Sequence, residues 1–272
     1  MPTLDPARPR PAKARPRPAQ PAPPAPTLRF PVLPRDREWD IRGVVLLLHG
    51  GQASSADPVR PGNLAALRMA RFAPAFRARP GRESPRVAVA LLRNRMRGWN
   101  AEDPAARDAV LDSVPDPMPG PVPDSMPDPV ANSMADLMAD SVPDPVADAL
   151  WALERIDRRL GPVPVVLAGH SMGGRTALRV AGHPSVRAVA ALAPWLPPDE
   201  PVAQLDGRDV LIAHGTRDRV TSLDASRAYA RDAAVVARSI DLREFPGGHA
   251  MLRRPRGWHR LVYRFALGSL DV

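Results

Sequence analysis

The sequence predicts an α/β architecture: a mostly parallel sheet with helices on both faces. Three observations predict it. Short, continuous apolar runs recur along the chain, several ending at or near glycine, as strands buried on both faces do. Segments with apolar residues at three-to-four spacing alternate with them. The two stretches that break this alternation are so rich in proline that they fall outside any packed core.

The elements follow in order. "RGVVLLLHG" over 42–50 is the first clear strand, and "NLAALRMARFAPAF" over 63–76 has helical spacing that Pro74 should end or kink. "RVAVALL" over 86–92 is the next strand. "VADALWALERIDRRLG" over 146–161 is an amphipathic helix, with Val146, Leu150, Leu153, Ile156 and Leu160 on one face and Gly161 as its cap. A strand over 163–168, a helix over about 172–181, and strands over 186–193 and 209–213 come next. A helix over about 222–237, a strand over 239–245 and a helix over about 256–267 complete the alternation. In such sheets the chemistry lies beyond the carboxyl ends of the strands.

The interruptions set the domain organisation. Residues 1–36 are expected to be a disordered Pro/Arg-rich tail, because proline removes donors and disfavours helix at the residue before it. Residues 37–272 then form one domain, interrupted by a low-complexity Asp/Pro-rich insert at about 103–145. "DSVPDP" stands at 112–117 and 140–145 and "DSMPDP" at 124–129, a spacing too irregular for a solenoid. EF-hand spacing and its glycine are missing from the insert, so calcium is not an expected ligand.

Charge and composition exclude other classes. The formal charge is +9, but Lys13 is the only lysine, and so strong an arginine skew resembles coding bias more than selection for a partner. Residues 1–35 carry seven basic residues and one acid; residues 101–149 carry eleven acids and one arginine. No recognition motif or aromatic interleaving accompanies the basic tail, so nucleic acid is not an expected partner. The absence of cysteine removes disulfides and thiolate catalysis. No apolar run is long enough for a membrane span and no secretory leader is visible, so the default expectation is a cytoplasmic protein. No metal motif, phosphate loop or dinucleotide fingerprint is present, and no cofactor is expected. No oligomeric state is read from the sequence.

The chemistry centres on "GHSMGG" at 169–174, where Ser171 leaves a predicted strand and enters a predicted helix. That is the context a G-x-S-x-G turn needs, and the helix that follows offers the Met172 N–H to an oxyanion. A serine hydroxyl needs a base. Of the six histidines, His249 in "FPGGHAML" follows the last predicted strand at the same carboxyl edge. His49, His170 and His214 sit tightly in turns, where structural or outer roles suit them better; His183 and His259 lie elsewhere. The imidazole needs an acceptor. Asp218 in "LIAHGTRDRVT" is the first candidate, ahead of Asp224 and Asp206. A second oxyanion donor is expected from "HGG" at 49–51, with the Gly51 N–H ahead of that of Gln52. Trp195, Met251 and Trp99 lie in loops at this edge and are candidates to line a substrate pocket. Arg93, Arg95 and Arg97 follow a strand there and read as a solvated cluster.

"HGG" at 49–51, "GHSMGG" at 169–174, "HGTRDRVT" at 214–221 and "GGHAML" at 247–252 together resemble the α/β-hydrolase superfamily, in its compact, lidless, esterase- or lipase-like members. The resemblance implies an α/β-hydrolase fold without a cap domain and a Ser171–His249–Asp218 triad with Gly51 and Met172 as oxyanion donors. The implied function is a serine hydrolase cleaving small-molecule carboxylic esters through an acyl-enzyme. Thioesterase, amidase, acyltransferase or cofactor-free perhydrolase chemistry would use the same triad. From another class, a non-catalytic binding module with a nucleic-acid-contacting tail is the rival, against which the intact Ser, His and Asp set speaks. The family's first strands are hardly visible before residue 40, so the sheet is expected to be shortened.

Overall fold

The computed structural model describes residues 24–33, 41–77, 86–100, 142–251 and 255–272. Its strands are β1 (Thr27–Val32), β2 (Gly43–Leu48), β3 (Val87–Arg93), β4 (Val165–His170), β5 (Val186–Leu192), β6 (Asp209–Gly215) and β7 (Ser239–Phe245). Its helices are α1 (Leu64–Ala70), α2 (Asp144–Leu160), α3 (Met172–Arg179), α4 (Leu223–Ala233) and α5 (Pro255–Leu270). The strands form one sheet in the order β1-β3-β2-β4-β5-β6-β7. Only β1 is antiparallel to its neighbour.

β2 and β4 lie inside the sheet and are buried throughout, which explains their continuous apolar runs. Along β2, Val44, Leu46 and Leu48 pack into one layer and Val45 and Leu47 into the other. The first layer holds Leu153 and Ile156 of α2, Leu178 of α3 and Tyr229 of α4. The second holds Met69 of α1 and Trp258 and Val262 of α5. The sheet is therefore covered on both faces, as the alternation requires. Truncating the fully buried Leu46 to alanine would cost about 2–5 kcal/mol, part of it for the cavity left behind.

Two boundaries read from the sequence are corrected. The tail assigned to 1–36 contains β1, so the sheet does not begin at residue 42. β1 is an edge strand that pairs only with β3, and it is only partly buried, so it lacks a continuous apolar run. Its pairing with β3 shifts register between Arg29 and Val32, where Pro31 loses no ladder bond. Residues 1–23 and 34–36 of that tail lie outside the described residues. The insert assigned to 103–145 ends earlier, because α2 begins at Asp144 within the last "DSVPDP". Pro145 falls in the first helical turn, where its missing N–H has no intrahelical partner to lose. Residues 101–141 lie outside the described residues.

The segment 63–76 divides as Pro74 requires. Asn63 caps α1 by accepting from the Ala65 and Ala66 N–H groups, and a separate 3-10 turn spans Ala73–Phe76. No cap domain is present among the described residues. No helix among them is long and apolar enough to cross a membrane.

Candidate active site

β4 runs straight into α3 through Ser171, a turn residue held at φ 56° and ψ −119°. Positive φ is costly for a side-chain-bearing residue, so the surroundings must impose it. They do so from two sides. The Ser171 N–H donates to the Leu192 carbonyl at 2.9 Å. Its own carbonyl accepts from Gly174, Arg175 and Trp195 N–H groups at 2.9, 3.1 and 3.2 Å. A Cβ at Gly169 would collide with the Gly173 carbonyl, so the turn closes only with glycine there.

Asp218 lies in the loop after β6, its carboxyl fully buried. One oxygen, Oδ1, accepts from the Val220 N–H at 2.8 Å and the Thr221 N–H at 3.0 Å. The other, Oδ2, lies 2.9 Å from His249 Nδ1, in the loop after β7. Burial pushes the Asp218 carboxyl up, but the Thr221 and Val220 N–H bonds and the His249 contact outweigh it and hold it below its ordinary value. An ionised carboxylate only accepts, so Nδ1 of His249 carries hydrogen and the lone pair lies on Nε2. The other aspartates are occupied elsewhere: Asp224 pairs with Arg227 on the surface, and Asp206 ends a 3-10 turn. Among the described residues no hydrogen bond joins Ser171 Oγ to His249, and such bonds often tighten only around substrate.

His49, His170 and His214 are buried and hydrogen-bonded around this cluster, and one of them joins its loops. His170, immediately before Ser171, places Nε2 2.8 Å from the His249 carbonyl, with the two rings 4.7 Å apart. A carbonyl only accepts, so His170 is the Nε2–H tautomer and pins the His249 backbone to the serine turn. Burial, then the neighbouring His249, push His170 down to about 3, so its ring stays neutral. His214 is buried behind Asp218, its Nδ1 2.8 Å from Ser226 Oγ. Thr221, which the sequence did not single out, sits between Asp218 and His249; a lone threonine three residues past an acid carries no signal of its own. His259 stacks edge-on against Phe72.

The loop after β2 lies against the start of α3. A Cβ at Gly51 would strike the Arg97 carbonyl and the Met172 side chain, so the two backbones approach closely only with glycine here. The Gln52 N–H is already spent on the Arg97 carbonyl at 2.8 Å, which removes it as a donor. Hydrogen bonds among the described residues leave the N–H groups of Gly51 and Met172 without acceptors. His49 orients the first of these. Its Nε2 accepts from the Asn94 N–H at 3.1 Å, so its Nδ1–H donates to the Gly50 carbonyl at 2.8 Å. Across the planar trans peptide, that contact turns the Gly51 N–H away from the His49 ring.

The three candidate lining residues separate. Trp99 is 3% exposed and Met251 5% exposed, one in each core layer, so both are packing residues here. Trp195 stays half-buried, and its N–H bonds the Ser171 carbonyl. The Arg175 guanidinium lies 4.0 Å from the Trp99 ring centre and 4.7 Å from that of Trp195, and it pairs with Glu200 at 2.7 Å. This wall is therefore a neutralised, stacked assembly. Arg95 pairs with the buried Asp148 of α2 at 2.6 Å and Arg97 with Asp57 at 3.4 Å, so each of these two arginines is held by a carboxylate.

A parallel sheet covered on both faces, with a serine on a strained strand-to-helix turn, defines an α/β-hydrolase fold. A family model described as an alpha/beta hydrolase domain matches residues 135–248. Solved structures match over most of the chain at low identity. An alpha-beta serine hydrolase homologue from Coxiella burnetii shares 14% identity over 82% of this chain and 85% of its own, with a TM-score of 0.51. Est1E from Butyrivibrio proteoclasticus, solved with ferulic acid, shares 14% over 91% and 96%, with a TM-score of 0.53. The esterase Pf2001 of Pyrococcus furiosus shares 12% over 82% and 80%, with a TM-score of 0.50. No curated protein matches the sequence.

Proposed function

We propose that this chain is a serine hydrolase of carboxylic esters, with Ser171 as nucleophile, His249 as general base and Asp218 as its orienting acid. The observation that carries the reading is the 2.9 Å contact between His249 Nδ1 and Asp218 Oδ2, at the sheet edge where Ser171 stands on its turn. That contact leaves Nε2 as the ring's proton acceptor.

The reaction follows from these groups. Ser171 Oγ attacks the ester carbonyl carbon as its proton passes to His249 Nε2. The carbonyl oxygen becomes an oxyanion, for which the N–H groups of Gly51 and Met172 are the available donors. The His249 Nε2–H then protonates the leaving alcohol as the carbon–oxygen bond breaks, leaving an acyl-serine. Water, deprotonated by Nε2, attacks that acyl group, and the proton returns to Ser171 as the acid departs. Every proton is carried by Nε2, so the chemistry calls for no cofactor. The neighbours named for esterase activity or holding an aromatic acid support the substrate class.

A fluorophosphonate probe tests the assignment. Wild type should be labelled on Ser171, and Ser171→Ala should not; equal labelling of both removes the assignment. A p-nitrophenyl ester series of increasing chain length on the same two proteins then reads substrate preference beside Trp195.

A further inference from the structure

Behind the acid lies a hydrogen-bond cluster that the scheme above does not use. Thr221 Oγ1 is 3.0 Å from Asp218 Oδ2, 3.2 Å from the Ala193 carbonyl, 3.2 Å from His249 Nδ1 and 3.4 Å from His214 Nε2. All four contacts converge on one hydroxyl, in a residue 7% exposed. A hydroxyl has one proton to give and two lone pairs to accept with. Ala193 and Asp218 can only accept, and His249 Nδ1 carries hydrogen.

The neighbours narrow the choice. Nε2 of His214 faces the Thr221 carbonyl and Asp218 Oδ2, both at 3.4 Å. Both are acceptors, so His214 bears its hydrogen on Nε2, while Ser226 Oγ–H donates to Nδ1. Burial pushes His214 down and keeps it neutral. Oδ2 of Asp218 thus faces three groups able to donate: His249, Thr221 and His214. It has lone pairs for two. The Ala193 carbonyl offers the Thr221 proton another place. Ala193 is held at φ 43°, its N–H fixed to the Ala213 carbonyl at 2.7 Å.

We infer that Thr221 is a positioning residue that gives its proton to the Ala193 carbonyl and so serves as a second acceptor for the His249 Nδ1–H. The inference rests on the assignment of Ser171, His249 and Asp218 made above. Its consequence is selective. The Nδ1–H of a neutral ring is a modest donor; once Nε2 takes the serine proton, the ring is charged and Nδ1–H donates more strongly. A second acceptor then favours the charged ring of the transition state over the neutral ring of the ground state. No proton leaves Thr221 at any point.

The test compares Thr221→Val, which keeps the backbone N–H and the side-chain shape, with Thr221→Ser, which keeps the hydroxyl. Both full-length proteins are assayed on a p-nitrophenyl ester across pH, with thermal melting as the check of folding. The groups around the ring stay constant: Asp218, His214 and His170, with Arg68 near His170 and Glu244 near His214. Thr221→Val should lower kcat about tenfold with KM little changed, a loss of order 1.4 kcal/mol. It should also move the acid limb of kcat/KM to lower pH, because the charged ring has lost an acceptor. Thr221→Ser should restore both within about twofold. An unchanged Thr221→Val overturns the inference. So does an acid limb that moves up, which would mean that the hydroxyl donates to Asp218, and so does a Thr221→Ser as impaired as Thr221→Val. If Thr221→Val does not fold, Thr221→Ala carries the same outcomes. Probe labelling that persists in Ser171→Ala would instead strike at the triad assignment.

Discussion

Among the described residues Ser, His and Asp come together at two edges of the sheet, and the order of their contacts differs. At the carboxyl edge stand Ser171, His249 and Asp218. At the opposite edge, just before β5, Ser185 Oγ lies 2.9 and 2.8 Å from the two Asp157 oxygens and 3.0 Å from His183 Nδ1. There the hydroxyl touches the carboxylate directly, and the imidazole is a neighbour within the same turn. At the first place the carboxylate touches the imidazole, and the serine sits apart on a strained turn. A Ser, His and Asp set becomes a candidate triad through the order of its contacts. The serine must be left without the carboxylate, and the imidazole must keep Nε2 free.

The largest effects should fall at the first place only. Ser171→Ala or His249→Ala should lower kcat/KM by roughly four orders of magnitude or more, read with a p-nitrophenyl ester. Asp218→Asn should cost about 10³–10⁴-fold, because an amide N–H facing Nδ1 favours the wrong tautomer. A Ser185→Ala variant with losses of similar size would erase the distinction between the two clusters. Gly51→Ala comes next, at about 10²-fold in kcat, since its Cβ would push the donor loop off the Met172 side chain.

Acid sensitivity sharpens the comparison further. Burial holds His170 at about 3 in the folded chain, against about 6.5 when unfolded. Between those values the unfolded chain binds the proton and the folded chain does not, so stability falls as pH drops from about 6.5 towards 3. His49 and His214 shift the same way. Melting curves of His170→Gln should show a shallower decline across that window, by one to a few kcal/mol at its acid end. An unaltered slope would contradict the account of His170. Asp218 acts below this range. Its lowered carboxyl adds stability above its unfolded value near 3.9, lost as pH falls through the folded value.

The smallest expected change is at the second place. Ser185→Ala should leave kcat/KM unaltered and cost about 0.5–1.5 kcal/mol of stability, because the part-buried Asp157 loses a donor that water can partly replace. Urea melts and the ester assay on one preparation separate the two readouts.

What the sequence disclosed tracks how local each signal is. β2, β4 and the serine turn were legible because strands buried on both faces carry unbroken apolar runs ending in glycine. β1 was not, since an edge strand interrupted by Pro31 packs only part of its surface. The start of α2 was hidden because Pro143 and Pro145 continue a low-complexity repeat into a helix cap. The placing of Asp218 and His249 in the loops after β6 and β7 could be read from the strands before them. The burial of Trp99 and Met251 could not, because a residue's place in a loop does not say which way its side chain packs. The contacts of Thr221 with Ala193 and His249 each span 28 residues of chain, which no local pattern encodes.

The most direct test is to trap the intermediate. Wild type mixed with a slowly deacylating p-nitrophenyl ester, quenched in acid and digested, should yield one peptide heavier by the acyl group, the one containing Ser171. An acyl group on Ser185, or steady ester turnover with no acylated serine at any quench time, would contradict the account.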